Sequence, residues 1–123
     1  MASEFILLIR ESEEHTQLAE AEREAAQAEI HAAHSAFFQA ITELGGTFVG
    51  GAGLQPTSAA VRIVPARDGH PAIFTDGPFT ETKEVVSGYY KVTAPDADAA
   101  RAIAAKCPTH GWIELYPVAD VGM

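Results

Sequence analysis

The chain is expected to fold as an α+β domain, a ferredoxin-like βαββαβ unit carrying an inserted hairpin. Three observations lead there. Its 123 residues suit one hydrophobic core. Short apolar runs and amphipathic stretches follow one another as strand, helix, strand, hairpin, strand, helix, strand. No linker or low-complexity segment interrupts them, so residues 1–123 read as a single domain.

Phe5-Ile6-Leu7-Leu8-Ile9 is a continuous apolar run, the pattern of a central strand buried on both faces. A Glu-, Ala- and Gln-rich stretch from about residue 13 to 44 follows. Its second half places Ile30, Phe37, Phe38, Ile41 and Leu44 on one helical stripe. Gly45-Gly46 stands where a C-terminal cap is expected. Residues 13–29 read as a separate turn of helix, since their apolar content is nearly all alanine.

Thr47-Phe48-Val49 starts a second strand that runs into Gly50-Gly51-Ala52-Gly53, where glycines signal a bulge or a close backbone approach. No Lys-Ser/Thr follows, so this is no phosphate loop. Ala60–Val64 alternates as a half-buried strand, and Arg67-Asp68-Gly69-His70 turns the chain back through Ala72-Ile73-Phe74. Gly88 to Thr93 forms the next strand. Asp96 caps a second helix carrying Ile103 and Cys107 on one face with Ala99 and Ala100, and Pro108 ends it. Trp112-Ile113-Glu114-Leu115-Tyr116 closes the domain. Two helices would cover one face of the antiparallel sheet. The other face would be a large exposed apolar patch, which pairing of two sheets removes, so a homodimer is expected.

Charge narrows the function. The chain has 8 basic and 17 acidic residues, a net of −9, and hence no cationic surface for nucleic acid or for an anionic membrane. Seven acids fall between Glu11 and Glu29, which reads as a solvated helix face. No run approaches the ~18 apolar residues of a membrane span, and no signal peptide is visible. The single cysteine, Cys107, forms no internal disulfide and reads as a structural thiol. The simplest expected location is the cytoplasm.

With Phe5–Ile9, Val49-Gly50-Gly51 and Gly53-Leu54-Gln55-Pro56 in place, a longer string completes a likeness. Asp76-Gly77-Pro78-Phe79 with Glu81-Thr82-Lys83-Glu84, then Gly88-Tyr89-Tyr90 and Ile113–Val118, resemble the YCII-related family, specifically its DGPF branch. The resemblance spans nearly the whole chain. It implies a dimeric α+β barrel of ferredoxin-like protomers and a ligand-binding or enzymatic site with a histidine and an aspartate as acid–base pair. DGPF proteins tend to be associated with extracytoplasmic-function sigma factors, which implies a regulatory alternative. Relatives often carry an acid after Gly50-Gly51, and Ala52 stands there in this chain.

His34 shares the stripe of Ile30, Phe37 and Ile41, and matches the family's histidine when counted back from the glycine pairs. An imidazole titrates near neutrality and so suits proton exchange, against the plainer reading of a partly buried histidine satisfied by one hydrogen bond. His31 lies three residues away, but no third ligand is marked by spacing, so no metal site is expected. Asp76 ends a strand before Gly77-Pro78. It is a second catalytic candidate, although Asp before Gly commonly bonds its own downstream amides to hold a turn. Lys83, Glu84 and Tyr89 are the candidate substrate-binding groups. Tyr89 and Tyr90 point to opposite sheet faces, so one lines a pocket while the other packs.

The expectation is therefore a small-molecule site in each protomer, between the sheet and the 76–84 loop. Its chemistry would be cofactor-independent proton transfer, elimination or isomerisation. The alternative is a non-enzymatic module that binds a regulatory protein.

Overall fold

In the computed structural model of the chain, residues 2–12, 34–77 and 84–119 are described. The first strand, β1, spans Ser3–Ser12, and residues 34–43 form helix α1. Strand β2 (Thr47–Gly53) leads through a 3-10 turn at Thr57–Ala59 into a hairpin of β3 (Val61–Val64) and β4 (Ile73–Asp76). Strand β5 (Glu84–Ala94), helix α2 (Ala97–Ala105) and strand β6 (Trp112–Pro117) complete the order. The expected helical character of residues 13–33 lies outside the described residues. No described helix is long and apolar enough to cross a membrane.

The main sheet runs β2-β5-β1-β6 with every neighbouring pair antiparallel. That is the ferredoxin-like arrangement, with the hairpin standing apart as a two-stranded sheet. Both central strands run further than their apolar cores. β1 extends through Arg10 to Ser12 because β5 runs alongside it to the end, Ser12 opposite Glu84. Ladder hydrogen bonds belong to the backbone, so polar residues continue a strand once a partner lies alongside. A bulge between Ile9 and Arg10 shifts this register.

Strand alternation sorts the sheet into two faces. Phe5 and Leu7 of β1 and Val92 and Ala94 of β5 point to the helices and pack with Phe37, Ile41, Ala100, Ile103 and Cys107. The spacing Phe37–Ile41 puts two side chains of α1 on that core, both fully buried. Helix α2 begins where Asp96 accepts a 2.8 Å bond from the Ala99 amide, satisfying one of the orphan donors of the first turn. It stops at Ala105, two residues ahead of Cys107, the residue that precedes Pro108.

The opposite face carries Glu4, Ile6, Leu8 and Arg10 of β1. Beside them by register stand Tyr89 and Lys91 of β5, and Trp112, Glu114 and Tyr116 of β6. Four of its charges pair with each other: Arg10 reaches Glu114 at 3.1 Å, and Lys91 reaches Glu4 at 3.3 Å; Glu84, opposite Ser12, stands on the same face.

Candidate functional site

Tyr90 stands on the helix-covered face because it shares parity with Val92 and Ala94 along β5. Its ring lies across β2, and this is possible because residue 51 has no side chain. A Cβ on Gly51 would sit 2.6 Å from Tyr90 Cδ1 and 2.6 Å from the Tyr89 carbonyl oxygen, well inside ordinary contact. The Val49-Gly50-Gly51 string thus has a physical reason. Gly51 makes room for the ring, whereas a Cβ on Gly50 would meet nothing within 4 Å.

The Tyr90 hydroxyl reaches His34 and shares a hydrogen bond with its Nε2. His34 arrives there from the same α1 stripe as Phe37 and Ile41. With a neutral imidazole the hydroxyl donates to Nε2; with an imidazolium the Nε2–H donates to the phenolic oxygen. Burial pushes the Tyr90 phenol above its ordinary value of 10.0, and the neighbouring Cys107 pushes it further. The phenol therefore keeps its proton at neutral pH and serves as a hydrogen-bond donor.

Aromatic rings surround the pair. Phe37 lies 5.3 Å from the Tyr90 ring and forms a buried floor. Phe38 is stacked on His34 at 6.3 Å and meets Phe48 edge-on at 4.9 Å. Phe48 in turn stands 5.9 Å from Tyr90. Phe38 and Phe48 are 39% and 42% exposed, so the pair has an apolar rim open to solvent. Such a surround, with the Arg10–Glu114 and Lys91–Glu4 pairs on the far face of the sheet, strengthens a hydrogen bond and favours neutral ligands.

The remaining candidates fall elsewhere. Tyr89 points to the opposite face of the sheet, beside Leu8 and Ala52. Asp76 is exposed at the end of β4, opposite Val61 in the hairpin sheet. Glu84 is exposed at the start of β5, six residues or roughly 20 Å of strand from Tyr90. Lys83 lies outside the described residues. The glycine after Asp76 has its own task. The Gly77 amide donates to the Ala60 carbonyl at 2.8 Å, and a Cβ there would sit 1.9 Å from the Thr57 carbonyl oxygen. Asp76-Gly77 therefore closes the base of the hairpin against the 3-10 turn.

Sequence reasoning singled out His34 but not its partner. The signal for Tyr90 was present in β5, where Tyr90, Val92 and Ala94 are apolar and the alternate residues Lys91 and Thr93 are polar. Cys107 is buried at 7% exposure and its thiol is pushed up to about 12 by desolvation, which marks it as structural. Two open clefts of about 370 and 440 Å³ lie beside the helices, one along α2 at Cys107 and one along α1 between Glu43 and Lys106; neither includes His34 or Tyr90.

Among models of protein families, that of the YCII-related domain matches residues 4–121. A search of the curated proteins finds none that matches.

Proposed function

The chain belongs to the YCII-related family, and from that premise we propose that it binds a small molecule at the His34–Tyr90 pair and exchanges a proton with it without a cofactor. Within the family, the Asp76-Gly77-Pro78-Phe79 string points to the DGPF branch. The observation that carries the functional reading is the phenol–imidazole hydrogen bond inside an aromatic rim. A ligand entering past Phe38 and Phe48 competes for that bond. It accepts the Tyr90 hydroxyl on a carbonyl or hydroxyl oxygen, while Nε2 takes a proton from the carbon or oxygen next to it. Return of that proton to another atom of the ligand gives isomerisation; loss of a leaving group gives elimination. Asp76 is assigned to the base of the hairpin in this reading, and Lys83 and Glu84 to the margin of the site.

The protomers act as homodimers through the outer sheet face, where Ile6, Leu8 and Tyr89 lie among internally paired charges. Cytoplasmic residence fits the lone buried thiol.

The test is a titration of the whole protein with small phenols and enolisable ketones, 4-nitrophenol among them. It is followed by thermal shift and by the imidazole NMR signals of His34. At least one probe raises the melting temperature and moves those signals, and His34→Ala or Tyr90→Phe abolishes the rise. A panel with no effect on the wild type, or one to which both variants respond unchanged, refutes the proposal and favours a regulatory module without chemistry.

A further inference from the structure

The bond between His34 and Tyr90 sets terms for whatever replaces it. The Tyr90 hydroxyl and His34 Nε2 satisfy each other, and the Tyr90 ring packs against the core. A ligand that parts them must give each a new partner, because a part-buried donor or acceptor left without one is costly. The hydroxyl offers one donor. Nε2 accepts when the imidazole is neutral and donates when it is charged. A carbonyl or ether oxygen accepts from Tyr90 but serves Nε2 only in the imidazolium form. A hydroxyl oxygen serves both forms: it accepts the Tyr90 hydrogen and donates its own to neutral Nε2. When that proton crosses, the ligand O–H bond breaks, Nε2–H forms, and the negative ligand oxygen accepts from Tyr90 and His34 together.

The rim specifies the body behind that oxygen. Phe38 and Phe48 meet with their planes 85° apart, and Phe48 stands at 66° to Tyr90, so each ring leaves part of its surface to solvent. Phe48 is held there by a bulge. In β2, Phe48 pairs with Val92 and Gly50 with Lys91, which leaves Val49 as the extra residue. Residues three apart in a regular strand face opposite ways. The bulge sets Phe48 and Gly51 on the same face instead, opposite Val92 and Tyr90, so the exposed ring and the gap that admits the Tyr90 ring stand together. Exposed phenyl rings favour another aromatic ring, edge-on or offset, over a saturated one of the same size. A phenolic oxygen also yields its proton to an imidazole far more readily than an aliphatic one does.

We propose that the site takes an aromatic hydroxyl compound, its hydroxyl inserted between Tyr90 Oη and His34 Nε2 and its ring against Phe38 and Phe48. The proposal rests on the reading of this pair as the binding site, and narrows its ligands from carbonyl and hydroxyl compounds to phenols.

The experiment titrates the full chain with phenol, anisole, acetophenone and cyclohexanol, following the imidazole nitrogens of His34 by NMR. Phenol moves the Nε2 signal and binds at least about tenfold more tightly than each of the other three. Tyr90→Phe brings phenol down to the level of anisole. In Phe48→Leu the lead of phenol over cyclohexanol shrinks, while its lead over anisole persists. These are ratios within one variant, so a general loosening of the fold, which weakens every probe alike, does not produce them; circular dichroism confirms that both variants fold. Acetophenone or anisole binding as tightly as phenol, with the His34 signals moved, overturns the phenol class and leaves the His34–Tyr90 site standing. Cyclohexanol matching phenol does the same. Four probes that all leave Nε2 unmoved overturn the class and the site together.

Discussion

Replacing Gly51 with alanine is expected to separate Tyr90 from His34. The added Cβ would stand 2.6 Å from Tyr90 Cδ1 and 3.2 Å from Cε1, where ordinary contact begins at 3.4 Å. It would also stand 2.6 Å from the Tyr89 carbonyl oxygen, which belongs to the neighbouring strand and cannot swing away. The ring has little room to yield, because Phe37 and Phe48 flank it at 5.3 and 5.9 Å. Overpacking of this kind costs about 1–3 kcal/mol. For a chain of this size that corresponds to a melting temperature lower by about 4–12 °C. The assay is a thermal melt of wild type, Gly51→Ala and Gly50→Ala at one protein concentration, since a dimer melts in a concentration-dependent way. It is paired with the NMR signals of the His34 imidazole nitrogens. Gly50→Ala is the control: its Cβ meets nothing within 4 Å, so its stability stays within about 0.5 kcal/mol of the wild type. Gly51→Ala loses stability and moves the Nε2 signal, whereas Gly50→Ala does neither. Equal melting temperatures for the two variants, with Nε2 unmoved in both, would refute the argument that residue 51 sets the position of Tyr90.

Cys107 predicts an alkaline limit to stability. The unfolded chain releases its thiol proton near 9.0 while the folded chain holds it to about 12, so the folded state binds more protons in between. Stability therefore falls as pH rises through this window, and the Tyr90 phenol, also raised, adds to the fall above 10.0. Urea midpoints across the window decline for the wild type and decline less for Cys107→Ala; parallel declines would show that the thiol is not the cause. Asp96→Ala removes the bond to the Ala99 amide and costs about 1 kcal/mol, or about 4 °C. An unchanged melting temperature would mean that water replaces the cap without loss.

The parts of the fold legible in the sequence are those dictated by side-chain burial. The α1 stripe through Phe37 and Ile41, the cap at Asp96, the turn at Asp68-Gly69 and the apolar centres of β1 and β6 each have a local cause. Strand ends do not. Arg10–Ser12 and Glu84 have no apolar signature, and they join the ladder only because β1 and β5 lie side by side. Site residues divide in the same way. His34 was legible because a polar ring on an apolar stripe is anomalous within one helix. Its partner depended on the register of β5 against β2, a relation between segments some forty residues apart. The expected grouping of His34 with Asp76 and Glu84 came from reading 76–84 as one loop beside the sheet. The backbone divides that stretch: Asp76 ends one sheet, and Glu84 already belongs to the other.

The alternation of β5 has a consequence for how chemistry and assembly relate. Tyr90 and Tyr89 are chain neighbours on opposite faces, one beside His34 under the helices, the other beside Leu8 on the face proposed for pairing. Among the described residues, the His34–Tyr90 pair and its aromatic rim come from α1, β2 and β5 of one protomer. β5 is the strand that both faces share, bonded to β1 on one edge and to β2 on the other. Gly51 and its neighbour Ala52 sit at that shared boundary, one facing Tyr90 and the other Tyr89. The absence of a carboxylate at Ala52 therefore leaves the His34–Tyr90 pair untouched, because a side chain at position 52 faces the opposite side of the sheet.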